Sequence, residues 1–259
     1  MGSKKVKDKR GDVAAKTAPV SVPEPVPAQN LPPREELLES LEQGPFFNRY
    51  DWAAFLLSFL VALVVYTLTL SPTLSLEDSG ELATAGEYLG VPHPPGYPSW
   101  TMIVWIFSKI FGFVKFRGME NPAWGVAFAS AFFGALSAGI TAMLVCRSGR
   151  DFLRSIKRTT AIIGLRSENM ICFAGGFASS LLFAFAPCMW SQSVIVEVYS
   201  LNAFFLVLVL LLAYMWIRRP SDKLMMLTGL VFGLGLTNYQ ALLLLVVALL
   251  LIIVVKDIA

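Results

Sequence analysis

Apolar residues along most of this chain do not alternate with polar ones. From Ala53 onward they come in unbroken runs, at 53–70, 99–114, 122–146, 169–187, 200–217, 224–237 and 239–255, separated by short polar gaps. A helix of a soluble protein shows one apolar stripe, whereas a segment apolar on all sides needs apolar surroundings on all sides. Runs of about 20 such residues match the hydrocarbon thickness of a bilayer. A helix satisfies its backbone hydrogen bonds within one segment, so it can cross that layer. The pattern predicts an all-α fold, a polytopic membrane helix bundle.

The basic residues orient the runs, because Lys and Arg in short loops favour the cytoplasmic side. Eight precede Ala53, so that end is expected inside. The segment 147–168, with Arg147, Arg150, Arg154, Lys157, Arg158 and Arg166, is also expected inside, as are Arg218, Arg219 and Lys223. These placements are incompatible with both 99–114 and 122–146 crossing. The shorter run follows the helix-breaking His93-Pro94-Pro95-Gly96-Tyr97-Pro98 and falls below the spanning length. It is therefore expected to be re-entrant or to lie at the surface, within a first outside loop at 71–121. Six spans and one partial span result, the crossing at 224–237 being the least secured.

Composition agrees. The chain has 259 residues, 56% hydrophobic and 15% charged, against roughly 25% charged in soluble domains. Residues 1–45 are expected to form a disordered cytoplasmic tail, rich in Pro, Ala and Val after its lysines. Within it, 34–42 has amphipathic spacing through Leu37, Leu38 and Leu41. Phe46, Phe47, Tyr50 and Trp52 resemble an interfacial aromatic belt. Residues 46–259 would form the membrane domain, and the stop just after an apolar run reads as C-terminal truncation of a longer protein. Cys146, Cys172 and Cys188 lie in or beside apolar runs and read as buried small residues. One histidine, His93, excludes a multi-histidine metal site. No metal ligand set is assigned, and no nucleic-acid partner is expected.

With this topology the unusual polar residues collect at one face. Glu77, Asp78, Glu81 and His93 fall in the first outside loop. Trp190, Gln192, Glu197, Tyr199 and Asn202 sit at the second outside turn, and Asn238, Tyr239 and Gln240 at the third. Ionisable groups near a membrane interior are costly, which makes them functional candidates. Plainer readings stand beside each. The acidic cluster could be solvated loop charge, with Asp78 or Ser79 capping a helix over 79–89. Glu197 could make a structural hydrogen bond, and His93 could cap a turn. Asn202 and Asn238 could be interhelical glue, and Gly175-Gly176 with Ser179-Ser180, like Gly229 and Gly233, could serve close packing.

Four blocks occur in order: Asp78-Ser-Gly-Glu81-Leu; Leu89-Gly-Val-Pro-His93-Pro-Pro-Gly96-Tyr97-Pro98; Trp190-Ser-Gln-Ser-Val-Ile-Val-Glu197-Val-Tyr199-Ser-Leu-Asn202; and Gly233-Leu-Gly235-Leu-Thr-Asn238. From about residue 53 to the end, the chain resembles the DUF2723 family, which includes the transmembrane protein 260 type of protein O-mannosyltransferase. The resemblance implies a GT-C-like N-terminal module whose active site faces the lumen or periplasm. The implied donor is a sugar, mannose by resemblance, on polyprenyl or dolichyl phosphate, and the implied acceptor is a protein Ser or Thr hydroxyl. Membrane lipid is a further implied partner. The membrane would be the bacterial inner membrane or the endoplasmic reticulum. No cofactor is implied beyond the lipid-linked sugar, and the need for a divalent metal stays open.

The resemblance places the essential carboxylate at Asp78, with Glu81 as a second catalytic group. A serine hydroxyl attacks an anomeric carbon poorly unless a base takes its proton, and one such base suffices for an inverting transfer to a phosphate leaving group. His93, Tyr97, Trp190, Glu197, Tyr199, Asn202 and Asn238 are the candidate substrate-binding residues. Where the family commonly carries a histidine after the last asparagine, this chain has Tyr239-Gln240. Competing readings are a transporter or lipid flippase, a non-catalytic membrane subunit, and a GT-C enzyme with another sugar or acceptor.

Overall fold

The computed structural model describes Gly2, residues 44–75, 77–156 and 164–258, the side chains of 255–258 excepted. The chain divides at Gly44, and its second unit, Pro45–Ala259, holds every described helix. The expected tail and amphipathic segment at 34–42 lie outside the described residues.

Helix α1 (Arg49–Leu68) leads through an irregular stretch to the short α2 (Ser79–Tyr88) and α3 (Pro98–Ile110). A two-residue hairpin, β1 (Lys115–Phe116) with β2 (Met119–Glu120), precedes the long α4 (Pro122–Ser155). Then follow α5 (Leu165–Ala184), α6 (Pro187–Ser193), α7 (Tyr199–Arg218), α8 (Asp222–Asn238), a 3-10 turn (Gln240–Leu244) and α9 (Leu245–Ile258). This is an all-α membrane helix bundle.

Three of the described helices, α1, α4 and α7, are long and apolar enough to cross a bilayer. Helices α5 and α6 add a fourth if the pair counts as one span; it bends by 68°, where Pro187 interrupts the backbone hydrogen-bond ladder. The 13 residues of α3 reach only about 20 Å, and the 17 of α8 about 26 Å. Length alone therefore supports fewer crossings than the six expected, and α3 is too short for a full one. The segment 71–121 is itself largely structured, since it contains α2, α3 and the hairpin.

Helix α4 organises the bundle, packing against α1, α2, α3, α5, α6 and α7. Its buried face is built from small residues, among them Ala127, Ala131, Gly134, Ala135, Ala138, Gly139 and Ala142. Small residues let helix backbones approach, which replaces the hydrophobic driving force that lipid removes. A Cβ at Gly139 would lie 3.0 Å from the Phe55 ring, and one at Gly176 of α5 would lie 2.6 Å from the Ala142 carbonyl oxygen. Polar pins cross the same contacts: Ser180 Oγ donates to Ser58 Oγ (2.6 Å) and Tyr66 O–H to the Ala184 carbonyl (2.6 Å). The expected packing role holds for Gly176 but not for Gly175, Gly229 and Gly233, where an added Cβ would meet nothing within 4 Å. In α8 the close approach belongs to Gly235, against Phe205 and Leu242.

The structure also corrects the basic segment at 147–168. Helix α4 does not stop at the apolar boundary but continues to Ser155, for about 51 Å in all. Arg147, Arg150 and Arg154 are good helix formers, and each of these three has an acidic partner. Arg150 Nη1 donates to Asp51 Oδ1 at 2.8 Å, Arg147 pairs with Asp151, and Arg154 Nε lies 2.6 Å from Glu168 Oε1. Asp51 also closes a capping box at the start of α1 with Asn48.

Candidate active site

At the opposite end of α4, the stretch between α1 and α3 folds over the bundle. The Ser71 amide donates to the Val194 carbonyl (2.8 Å), and Asn121 Nδ2 donates to the Pro72 carbonyl (2.7 Å). These bonds bring the acidic block beside the segment that connects α6 to α7. Glu77 adopts a left-handed backbone (φ 67°), as does Tyr97 (φ 45°) at the start of α3. Left-handed non-glycine residues cost free energy and concentrate at functional sites. Pro98 then opens α3, where a missing N–H is harmless.

Asp78 occupies the cap position of α2, but its side chain makes no capping hydrogen bond. Capping therefore does not account for this carboxylate. Glu81, one turn later, is committed elsewhere. Its Oε1 accepts the His93 backbone N–H at 2.6 Å, and its Oε2 lies 3.2 Å from His93 Nδ1. The backbone donation from His93, helped by its ring, holds the Glu81 carboxyl below its ordinary range. With the Nδ1 proton directed at Glu81, a neutral His93 presents Nε2 as an acceptor. The Tyr97 hydroxyl stands 3.0 Å from that nitrogen. Carboxylate, imidazole and phenol thus form a chain ending at a buried tyrosine.

Tyr97 is also where the pieces converge. Burial raises its pKa first, and the nearby Tyr239, Glu197, Asp78 and Glu81 each add to the rise. Its ring lies 6.3 Å from that of Tyr239, which meets Tyr199 edge-on at 5.4 Å. Tyr239 joins Tyr97 and Tyr199 in an aromatic wall.

Glu197 is only 5% exposed, and its backbone is fixed from two sides. Its carbonyl accepts from Trp100 Nε1 (3.2 Å) and Ser130 Oγ (3.1 Å), and its Oε2 accepts the Val198 amide (3.3 Å). Burial pushes its carboxyl up to about 7 against the opposing Val198 bond, and the negative charges of Glu77 and Asp78 push the same way, with the Glu77 carboxyl in hydrogen-bonding reach. A neutral buried acid beside ionised ones can donate a hydrogen bond where a carboxylate cannot. The folded carboxyl keeps its proton to about pH 7, and its ordinary value is 4.5. The folded state then binds the extra proton between these values, so this stabilisation is full below about 4.5 and is lost as pH rises through about 7. Thermal unfolding in detergent checks this. Relative to Glu197→Gln, the wild-type midpoint should fall as pH rises from about 5 to about 8; parallel pH profiles would refute the shift.

The remaining candidates separate. Asn238 ends α8 fully buried, with neither amide atom partnered in protein, and Asn202 Oδ1 is likewise buried without a partner. Such groups cost free energy unless water or ligand satisfies them. Trp190 is placed differently: its Nε1 donates to Thr69 Oγ1 (3.1 Å) and its ring packs on Phe185 (5.3 Å), at the end of α1. Glu77 and Tyr239, already among the polar residues gathered at this face, join the site, and Trp100 and Ser130 are additions that nothing local in the sequence marks. Among the described residues, no group of three His, Cys, Asp or Glu could hold a metal ion.

Comparison with known proteins gives the frame for this geometry. The family model for the Protein O-mannosyl-transferase TMEM260 N-terminal domain matches residues 78–259. The chain belongs to this family. Asp78, at the first matched position, opens a stretch that contains α2, α3 and both tyrosines of the wall beyond them. Similar proteins include Protein O-mannosyl-transferase tmem260 of Dictyostelium discoideum, 27% identical over 206 residues, covering 74% of this chain and 22% of that protein. Protein O-mannosyl-transferase TMEM260 of Mus musculus is 29% identical over 190 residues, covering 72% of this chain and 23% of that protein. The chain thus spans under a quarter of the length of these curated relatives. No solved structure matches.

Proposed function

We propose that this chain carries the catalytic end of a membrane O-mannosyltransferase, moving mannose from polyprenyl or dolichyl phosphate to a protein Ser or Thr hydroxyl. The observation that carries this reading is the convergence of Asp78, the Glu81–His93–Tyr97 chain and Glu197 at one end of the bundle, within the matched family region. The same reading makes the fold a GT-C-like module and places the site on the lumenal or periplasmic face of the endoplasmic reticulum or bacterial inner membrane. It retains residues 1–45 as a cytoplasmic tail.

Asp78 acts as base. The acceptor hydroxyl loses its proton to Asp78 as its oxygen bonds to the anomeric carbon from one side. The bond from that carbon to the phosphate oxygen breaks on the other side, its electron pair leaving with the phosphate, so configuration inverts. Glu81 serves as a positioning residue, because its carboxylate is already held by His93. Glu81 anchors His93 through its amide and ring, and Tyr97 can turn its O–H from His93 Nε2 to a phosphate oxygen of the donor. Asn238, with neither amide atom partnered, and Asn202, whose Oδ1 is buried without a partner, would meet sugar hydroxyls, and the tyrosine wall would pack on the sugar ring. Neutral Glu197 would donate a hydrogen bond into the same space.

The test joins donor and sidedness. The protein in sealed native-membrane vesicles should transfer labelled mannose from dolichyl phosphate mannose to a Ser/Thr peptide present on the lumenal side. Val91 and Phe152 are both exposed. In a cysteine-free background, Val91→Cys should be labelled by an impermeant maleimide from the lumenal side, and Phe152→Cys from the cytoplasmic side. Labelling of both from one side would overturn the single outward-facing site. Transfer from a nucleotide sugar alone, with none from the lipid donor, would overturn the donor assignment.

A further inference from the structure

A cavity of about 210 Å³ lies against a face of α2 that the reaction does not use. Gly80, Ala83, Thr84 and Glu87 line it from α2, at the spacing of one helical face. Glu81 leaves the helix about 100° round from Gly80 and meets His93 instead. Thr73 and Leu74 line a second side, and the junction of β2 with α4 lines a third. The volume is that of about seven waters in the liquid, room for one long side chain.

The lining divides by chemistry. Leu74, Ala83, Pro122 and Ala123 form apolar walls, and Glu87, Glu120 and Tyr88 supply two carboxyl groups and an aromatic ring. Glu87 is only half satisfied. Lys109 pairs with its Oε1, while Oε2 is buried with no hydrogen-bond partner. Glu120 stands opposite Lys115 in the hairpin, and neither lysine lines the cavity. A buried acceptor left unmet costs free energy until a donor reaches it. A small cation would use the carboxyl groups and leave the apolar walls wet, and among the described residues no third His, Cys, Asp or Glu joins the pair to hold a metal ion. An apolar ligand would strip water from both carboxyl groups at a cost. An amine-bearing lipid head group would bring its own phosphate against them. A lysine or arginine side chain of a polypeptide meets every part. Its methylenes pack on the apolar walls, and its cation donates to Glu87 Oε2 beside the Tyr88 ring.

We propose that the cavity formed by Leu74, Ala83, Glu87, Tyr88, Glu120 and Ala123 binds a lysine or arginine side chain of the acceptor protein, so that Ser or Thr hydroxyls near a basic residue are selected. This rests on the reading of Asp78 as the base that receives the acceptor. From Asp78 at the cap of α2 to Glu87 the helix rises about 14 Å. An extended acceptor chain covers that distance in about four residues. The basic residue therefore stands about four positions from the hydroxyl that is modified.

Purified full-length protein in detergent, fluorescent Ser/Thr peptides and dolichyl phosphate mannose test this. Each peptide carries one lysine, or norleucine in its place, two to six positions from the hydroxyl on either side. Norleucine keeps the methylenes and drops the cation. In fluorescence anisotropy, lysine about four positions away should tighten binding about tenfold over norleucine, the low end for a hydrogen bond to a charged group. In transfer the acceptor KM should fall in parallel, with donor KM unchanged. Glu87→Gln should bring the ratio near one and leave binding of the norleucine peptide as it was. At Gly80 an added Cβ meets nothing within 4 Å, so Gly80→Leu fills space while keeping both carboxyl groups, and it should also remove the preference. Lysine-preferring binding without transfer would support the cavity and count against the transferase reading. Equal use of lysine and norleucine peptides at every position would overturn the cavity's role and leave that reading intact. A preference that survives Glu87→Gln would also overturn it. So would retention of phosphatidylethanolamine over phosphatidylcholine that Glu87→Gln abolishes, with no peptide preference. The wild-type comparison needs no variant to fold.

Discussion

Asp78→Asn is expected to lower mannosyl transfer by about 10²- to 10⁴-fold, the usual contribution of a positioned general base. The substitution keeps shape and removes the proton acceptor. Asp78 makes no capping bond from its side chain, so helix α2 loses no fastening and the folded protein should persist. Donor KM should therefore change little, with the loss in kcat. Glu81→Gln is the informative companion. Glu81 holds the His93 amide and ring, so its loss should loosen the Glu81–His93–Tyr97 chain, raising donor KM along with a smaller fall in kcat. Steady-state transfer from dolichyl phosphate mannose to a peptide measures both. Wild-type turnover in Asp78→Asn with a collapse in Glu197→Gln would hand the base role to Glu197, whose carboxyl is poised near neutrality.

Arg150→Ala should destabilise the helical body by about 3–5 kcal/mol, the cost of leaving one member of a buried ion pair alone. Asp51 is 0% and Arg150 3% exposed, so water cannot take over for the missing partner. Asp51→Ala should cost at least as much, because Asp51 also accepts the Asn48 amide (2.8 Å) in the capping box of α1. In Asp51→Asn/Arg150→Met both charges are gone, while an amide oxygen remains for the cap. That double variant should recover most of the loss, since a buried pair replaced as a whole is often near neutral. Thermal unfolding of the purified protein in detergent distinguishes these cases. A double variant as unstable as Arg150→Ala would mean that the pair contributes packing that no apolar substitute restores. Transfer activity should survive in folded Arg150→Ala, because the pair and the Asp78 region lie at opposite ends of α4.

Much of the architecture was legible along the chain. A bilayer acts on each segment separately: a helix either is or is not long and apolar enough, and α1, α4 and α7 are found where unbroken apolar runs predict them. The prolines before Ser99 announced a short α3 by removing hydrogen-bond donors, whereas the break between α5 and α6 at Pro187 emerged only in the structure. The continuation of α4 past its apolar boundary was not legible, because Arg147, Arg150 and Arg154 mark that boundary without revealing that Asp151, Asp51 and Glu168 would partner them. Packing at Gly229 and Gly233 was misread for a related reason. Small residues at helical spacing permit close approach, but a neighbour must come, and it came at Gly235 instead.

The candidate site divides along the same line. Asp78, Glu81 and His93 stand within one loop and could be read as a group from their spacing and rarity. Their division of labour could not. That Glu81 is occupied by His93 and that Asp78 is not spent on a cap are consequences of how 89–98 folds back on α2. Glu197 is the clearest case. A carboxyl flanked by valines signals burial in the sequence, but its retained proton depends first on how completely the packed helices bury it and then on Glu77 and Asp78, more than a hundred residues earlier, and its position on Trp100 and Ser130 of two other helices. Apolarity is a property of each residue and is written in the chain, whereas the charge state of a buried acid is a property of what surrounds it and exists only once the helices have packed.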